Sequence, residues 1–391
     1  TNIINSIKIC DPAVGSGHFL VSALNEIITI KHDLGILTDR QGKILRDYSI
    51  EVVNDELIIT DEDGIPFQYS ITNKESQRIQ ETLFHEKQTI IENCLFGVDL
   101  NPNSVKICRL RLWIELLKNA YYRSNSSELE TLPNIDINIK CGNSLISRFG
   151  LETDLKETLK KSKLTIQSYK DAIKTYQNAD SKDQKREMEN LISDIKGNFK
   201  TEISGNSKEI KGLQKATFEY NNKYVTEQLF EIKLTKAEIK YKKELEETIK
   251  KYQTSIDDIK NNKVYENAFE WRFEFPEVLN DEGDFIGFDI IIGNPPYIQL
   301  QKMGADGAFL EKMNFETYTK TGDIYSLFYE LGFNILKEKG ILTFITSNKW
   351  MRAAYGESLR NYFVQKTNPI LLLDFGGVQV FDSATVDTNI L

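Results

Sequence analysis

The chain has 391 residues, of which 27% are charged and 40% hydrophobic, and a formal net charge of −9. That length can bury a large core and should hold one big α/β domain plus something more. The acidic balance argues against a surface that grips nucleic-acid phosphates throughout, because such surfaces are basic. No apolar run reaches the length of a membrane-spanning helix and no cleavable leader is visible, so a soluble, intracellular, cytoplasmic protein with no membrane partner is expected. Cys10, Cys94, Cys108 and Cys141 lack C-x-x-C spacing, which reads as reduced, mostly buried thiols. His18, His32 and His85 are too scattered for a metal site, so no metal is expected.

Ile7 to Leu20 reads as a strand, a glycine loop and a helix, with Asp11-Pro12-Ala13-Val14-Gly15-Ser16-Gly17 at the turn. Gly15 and Gly17 let the backbone bend tightly and approach a ligand at the N-terminal end of the following helix. Leu20 stands where a dinucleotide fingerprint would place its third glycine, so that fingerprint is absent. Residues 38–80 contain two alternating runs, Ser49 to Val53 and Glu56 to Thr60, around Asn54-Asp55, which predicts a β-hairpin excursion.

Leu95 to Asp99 is a short apolar strand with a carboxylate at its C-terminal end, and a helix is expected from Ser104 to Tyr122. In a doubly wound sheet such a carboxylate accepts from both hydroxyls of a ribose. Asp99 is equally suited to capping the next helix, a task open to Asn101 or Asn103 as well. A strand over Ile135 to Lys140 leads into Cys141-Gly142-Asn143-Ser144-Leu145, where the Asn143 amide either reads an adenine edge or serves a turn. Lys106, Arg109 and Arg111 read as a solvated helix face. Residues 151–263 are rich in Lys and Glu, contain no Pro and space their apolar residues helically. They predict a coiled-coil-like antiparallel hairpin broken near Gly197 to Gly212, serving as a packing arm or as a clamp on DNA.

Phe288 to Gly293 is a buried apolar strand that runs directly into Asn294-Pro295-Pro296-Tyr297. An exocyclic amine on a heteroaromatic ring, or an amide nitrogen, attacks poorly because its lone pair is delocalised. Two acceptors aimed at its hydrogens draw it towards sp³ geometry, and this loop offers the Asn294 side-chain carbonyl and the Pro295 backbone carbonyl. Tyr297 adds a flat face for a planar substrate. As bare punctuation the same residues would mark an ordinary strand exit. Downstream come Gly322-Asp323-Ile324-Tyr325-Ser326-Leu327-Phe328, a strand over Gly340 to Thr346, basic Lys349 and Arg352, and Gln379-Val380-Phe381. Val386 to Leu391 reads as the middle of a strand.

The ordered set D-P-A-V-G-S-G, G-V-D-L-N-P, C-G-N-S-L and G-N-P-P-Y resembles the S-adenosylmethionine-dependent N6-adenine DNA methyltransferases. With Phe273-Glu274-Phe275-Pro276-Glu277-Val278-Leu279 ahead of the catalytic strand, it is most similar to the methyltransferase part of fused type IIG restriction-modification enzymes. The resemblance covers most of 3–150 and 265–391. It implies a Rossmann-like class I methyltransferase sheet with seven positions, interrupted by the β-rich and helical insertions. Residues 1–150 would be the cofactor half, 151–263 the helical insertion and 264–391 the catalytic half.

By that resemblance Asp11, Ala13, Gly15 and Gly17 would meet the methionine part of S-adenosylmethionine. Asp99 and Leu100 would lie at its ribose, and Asn143 and Ser144 at its adenine. Family members often carry Asp at the Asn143 position. Phe328 would lie near the cofactor adenine or belong to the core. Asn294, Pro295, Pro296 and Tyr297 would form the catalytic loop, and Phe381 would stack on an adenine extruded from double-stranded DNA. The resemblance also implies a preceding Thr-Pro segment, a target-recognition domain and a nuclease, none of them in these residues, so the chain is read as a fragment. Protein-glutamine and RNA methyltransferases share Asn-Pro-Pro-Tyr, and an inactive DNA-binding or scaffold subunit would share the fold; both rank below DNA adenine.

Overall fold

A computed structural model describes residues 2–123, 128–134, 137–151, 165–179, 181–206, 208–224, 235–261, 265, 267–381 and 386–391. Its centre is a seven-stranded sheet built from β1 (Ile9–Asp11), β4 (Leu95–Asp99), β5 (Ile139–Cys141), β6 (Phe288–Gly293), β7 (Leu336–Ser347), β8 (Leu373–Asp374) and β9 (Thr388–Ile390). The spatial order is β5-β4-β1-β6-β7-β9-β8. The five strands from β5 to β7 are parallel, and β9 runs antiparallel between β7 and β8. Strand order reverses beside β1, so the loops leaving β1 and β6 open next to each other at the C-terminal edge. In doubly wound sheets this is where ligands bind. The expected Rossmann-like α/β class is what the chain adopts.

Strand residues alternate between two apolar layers, as the period of two requires. Ile9, Leu95, Ile290 and Ile292 join the layer under α1 (His18–Asp33), α2 (Lys74–Asn93) and α3 (Pro102–Leu117), with Leu24, Phe84 and Leu112. Cys10, Phe96, Phe288 and Ile291 join the other, with α10 (Tyr325–Asn334) and α11 (Glu357–Lys366) and the fully buried Tyr325. Burial on both faces explains the apolar run Ile290-Ile291-Ile292 of β6, while Asp289 accepts from Lys8 N and pairs with Lys337.

Helix α3 begins two residues earlier than its expected start at Ser104. Asn101 caps it by accepting from Asn103 N at 2.9 Å, and Pro102 presets the first turn. Its last residue is Leu117 rather than Tyr122. Between α1 and α2, β2 (Tyr48–Val53) pairs antiparallel with β3 (Glu56–Asp61) across a two-residue turn. Asn54 and Asp55 both take positive φ, 52° and 63°, the type I′ geometry that matches strand twist. Helix α2 starts at Lys74, inside the span anticipated as hairpin.

Among the described residues of the stretch after β5 are the helices α4 (Ile166–Gln177), α5 (Lys182–Asn206), α6 (Lys208–Tyr224) and α7 (Lys236–Asn261). Helix α4 packs on α5, and α6 on α7. One helix ends at Asn206 and the next begins at Lys208, so the division falls within the expected span Gly197 to Gly212, although α5 continues through Gly197 and α6 through Gly212 themselves. At Gly212 the ring of Tyr252 takes the space of a side chain, 2.5 Å from where a Cβ would stand. The apolar layer that holds Tyr325 is completed by α8 (Trp271–Glu274) and α9 (Ala305–Lys312), which add Trp271 and Leu310. No helix among the described residues is long and apolar enough to cross a membrane.

Candidate active site

The loop after β1 is held open by its own backbone. Gly15 and Gly17 lie at φ 52° and 83°, a region glycine enters without steric cost. Gly17 is also needed for contact, because a Cβ there would sit 2.5 Å from Cys108 Sγ on α3. Asp11 is 1% exposed, and its Oδ1 accepts from Ala13 N at 2.9 Å. Burial pushes its carboxyl up to about 7, against the Ala13 hydrogen bond and helped by the nearby Asp99 carboxylate.

Asp99 braces the loop from β4. Its Oδ2 accepts from Gly15 N at 2.9 Å and its Oδ1 from Asn101 N at 2.7 Å, so it joins two turns while Asn101 does the helix capping. Each carboxylate oxygen keeps a further lone-pair site for a ligand hydroxyl. Leu100 beside it is 55% exposed. The next loop is tied on by Gly142 N donating to Asp99 O at 2.9 Å and by the buried Ser144 Oγ donating to Pro12 O at 2.5 Å. Asn143 is half-buried, and its Oδ1 accepts from Leu145 N at 3.1 Å, as a turn residue's would.

The sequence reading missed a clamp on this loop. Asn143 N donates to Asn267 O at 2.6 Å, Trp271 Nε1 donates to Ser144 O at 3.0 Å, and Gly142 lies over Phe269, where a Cβ would meet the ring at 2.8 Å. The available signal was the aromatic run Phe269, Trp271, Phe273 and Phe275. Two of the three cations expected on a solvated helix face are instead engaged: Arg109 Nε donates to Ile139 O at 3.1 Å, and Arg111 Nη1 donates to His18 Nδ1 at 3.0 Å. Lys106 on the same helix is exposed.

β6 delivers the second half of the site. A Cβ on Gly293 would stand 2.5 Å from Asp11 Oδ1, so the absence of a side chain lets the two strand ends meet. Pro295 is buried, Pro296 exposed, and Asn294 and Tyr297 lie between. Tyr297 OH donates to Asn294 Oδ1 at 2.6 Å and approaches Ile345 O at 3.2 Å, while its ring meets Tyr325 edge to face at 6.0 Å. Burial pushes the Tyr297 hydroxyl up to about 12, so it remains a donor at neutral pH. The Asn294 carbonyl is thereby fixed and keeps one lone pair for another donor.

Phe328 is 6% exposed on α10 among the core residues. Phe381 is half-buried in the segment between β8 and β9, its carbonyl accepting from Gln379 Nε2 at 2.9 Å. Among the described residues no three His, Cys, Asp or Glu side chains converge as a metal ion would need.

A Rossmann-like sheet with a glycine loop at its reversal point and Asn-Pro-Pro-Tyr on the adjoining strand defines the methyltransferase class of this fold. Residues 93–381 match the Eco57I restriction-modification methylase family, and the chain belongs to that family. It is 26% identical to a protein described as a type II restriction enzyme and methyltransferase of Methanocaldococcus jannaschii, over 99% of this chain and 30% of that relative. A type II restriction enzyme and methyltransferase of Escherichia coli is 33% identical over 27% of this chain and 11% of its own length. A type II methyltransferase of Aneurinibacillus aneurinilyticus is 34% identical over 25% of this chain and 17% of its own. The chain thus spans less than a third of the length of each of these relatives.

Proposed function

We propose that this chain carries the methyl-transferring part of a type II restriction-modification enzyme, acting inside the cell on N6 of an adenine extruded from duplex DNA. The observation that carries the reading is the contact between the two loops, where the acid at the end of β1 lies against the residue that opens Asn294-Pro295-Pro296-Tyr297. The methyl donor is S-adenosylmethionine, and the residues present suit it. Asp11 is a buried carboxyl for a cation, Asp99 keeps acceptor capacity for a diol, and the glycine loop leaves room for backbone approach. When bound, the cofactor supplies a methyl group on a positively charged sulfur, ready for displacement.

The protein's part is positional. Asn294 Oδ1 and the Pro295 carbonyl accept the two amine hydrogens and turn the nitrogen lone pair outward. Tyr297 holds Asn294 in register and presents its ring to the base. Phe381 would close on the other face, and Asn143 and Phe328 would lie at the cofactor's adenine. The amine proton is lost to solvent after transfer. Recognition of the target sequence and any cleavage would belong to other parts of a longer polypeptide.

The test is transfer of labelled methyl from S-adenosylmethionine to duplex DNA, with the modified nucleoside identified by mass spectrometry. N6-methyladenine is the expected product; label found only on protein or RNA, or on cytosine, would overturn the assignment. Asn294→Ala should lower the transfer rate at least about a hundredfold, in the range of losing an oriented polar contact at a reacting centre, with cofactor affinity nearly unchanged. A comparable loss of cofactor binding would refute that division of roles.

A further inference from the structure

Asp11 touches both halves of the site, through Ala13 N in the cofactor loop and through Gly293 at the mouth of the catalytic loop. Among the described residues, the groups around it offer no positive charge. β6 brings a glycine, β4 brings the Asp99 carboxylate, and the loop after β5 brings the Ser144 hydroxyl, which is spent on Pro12 O. The thiols of Cys10 and of Cys108 on α3 are buried and stay protonated. Arg109 and Arg111 on α3 are engaged by Ile139 O and His18. A carboxyl with one backbone donor, a like-charged neighbour and almost no contact with water favours its neutral form.

A ligand with a cationic end reverses that balance, since it supplies at close range the charge that the protein withholds. We propose that Asp11 is a neutral acid in the ligand-free protein and gives its proton to solvent as S-adenosylmethionine binds, so that cofactor capture and ionisation of Asp11 are one event. This rests on the cofactor reading above. The O–H bond of the carboxyl breaks, the proton passes to the buffer, and the carboxylate left behind pairs with the net positive charge of the cofactor. The pair also forms where Gly293 leads into Asn294, so the same event stiffens the base of the catalytic loop. With the free carboxyl poised at about 7, the exchange falls within the physiological range.

Calorimetric titration with S-adenosylmethionine tests this on the whole chain and on Asp11→Asn, near pH 6 and near pH 8, each in buffers of different ionisation enthalpy. The wild type should release about one more proton per cofactor than the variant near pH 6 and almost none more near pH 8, with affinity rising about tenfold across the interval relative to the variant. The cofactor's own amine titrates in both proteins and cancels in the difference. Asparagine keeps the acceptor for Ala13 N, and if the variant still fails to fold, infrared difference spectra of the wild type serve instead. In these a protonated-carboxyl stretch should vanish on cofactor addition. Equal proton counts in the two proteins, or no such vanishing band, would overturn the proposal and leave the cofactor reading standing. No binding to folded wild type would remove both.

Discussion

Gly293 matters for what it lacks. A methyl group there would enter the Asp11 carboxyl at 2.5 Å, and neither side can yield, because Asp11 is held by Ala13 N and Gly293 lies within a paired strand. Gly293→Ala should destabilise the fold by about 1–3 kcal/mol, the usual cost of overpacking, and weaken cofactor binding together with activity. Urea denaturation and calorimetry on one sample would show both; unchanged cofactor affinity would mean that the two loops are not coupled through this contact. Asp11 also gives the ligand-free protein a pH dependence of definite sign. Its folded value lies above the ordinary 3.8, so its contribution to stability is complete below about pH 4 and is lost as pH rises through about 7. The wild type should therefore lose stability relative to Asp11→Asn between those limits, and a flat difference between the two denaturation profiles would contradict the neutral-acid assignment. Aspartate at the end of a strand was visible in the sequence; its lack of a cationic neighbour among the described residues was not, because its neighbours come from β4, β6 and α3.

Charged groups from β5, α8 and α5 converge at one junction. Lys140 of β5 donates to Glu274 O and lies 4.5 Å from the Phe275 ring centre, while Lys196 of α5 pairs with Glu274 Oε2 at 2.6 Å. Burial lowers the Lys140 ammonium to about 7, with Lys196 adding to the effect and Glu274 opposing it. Removing Lys140 leaves Glu274 its partner on α5, whereas removing Glu274 takes this carboxylate from both lysines and leaves Lys140 buried without it. Lys140→Met is expected to change stability by less than about 1 kcal/mol at neutral pH, and Glu274→Leu to cost about 3 kcal/mol or more, the asymmetry typical of broken buried pairs. Equal costs in chemical denaturation would argue that the junction is held by packing alone. This junction joins the helical stretch to β5, the strand that leads into the Asn143 loop, and only the helical period of that stretch could be read from the residues. Long-range partners such as Lys140 and Glu274, like the clamp of Asn267 to Trp271 over Asn143, leave no local periodicity to read.

Across the whole molecule, the candidate site draws on four strand ends, from β1, β4, β5 and β6, and on both apolar layers. A ligand that binds only this assembled arrangement must stabilise all of it. At a hundredfold excess over its dissociation constant, S-adenosylmethionine should add about 2.7 kcal/mol and shift the thermal transition of the whole sheet upward as a unit. A shift confined to an early partial transition would mean that the cradle unfolds independently. The sequence by itself determined the local units: strands that end in Asp11, Asp99 and Gly293, glycine at the positive-φ turn, the Asn54-Asp55 hairpin, and the Asn294 to Tyr297 loop directly after an apolar strand. These depend on alternation, chain stiffness and steric freedom, which act over a few residues. Tertiary structure alone decided that the loop after β1 and the loop after β6, about 280 residues apart, would share a wall. That required the reversal of strand order beside β1, and with it came the burial that makes an ordinary aspartate a poised acid and the tyrosine that fixes Asn294. Such properties arise from desolvation and from contacts between distant segments, which no local pattern records.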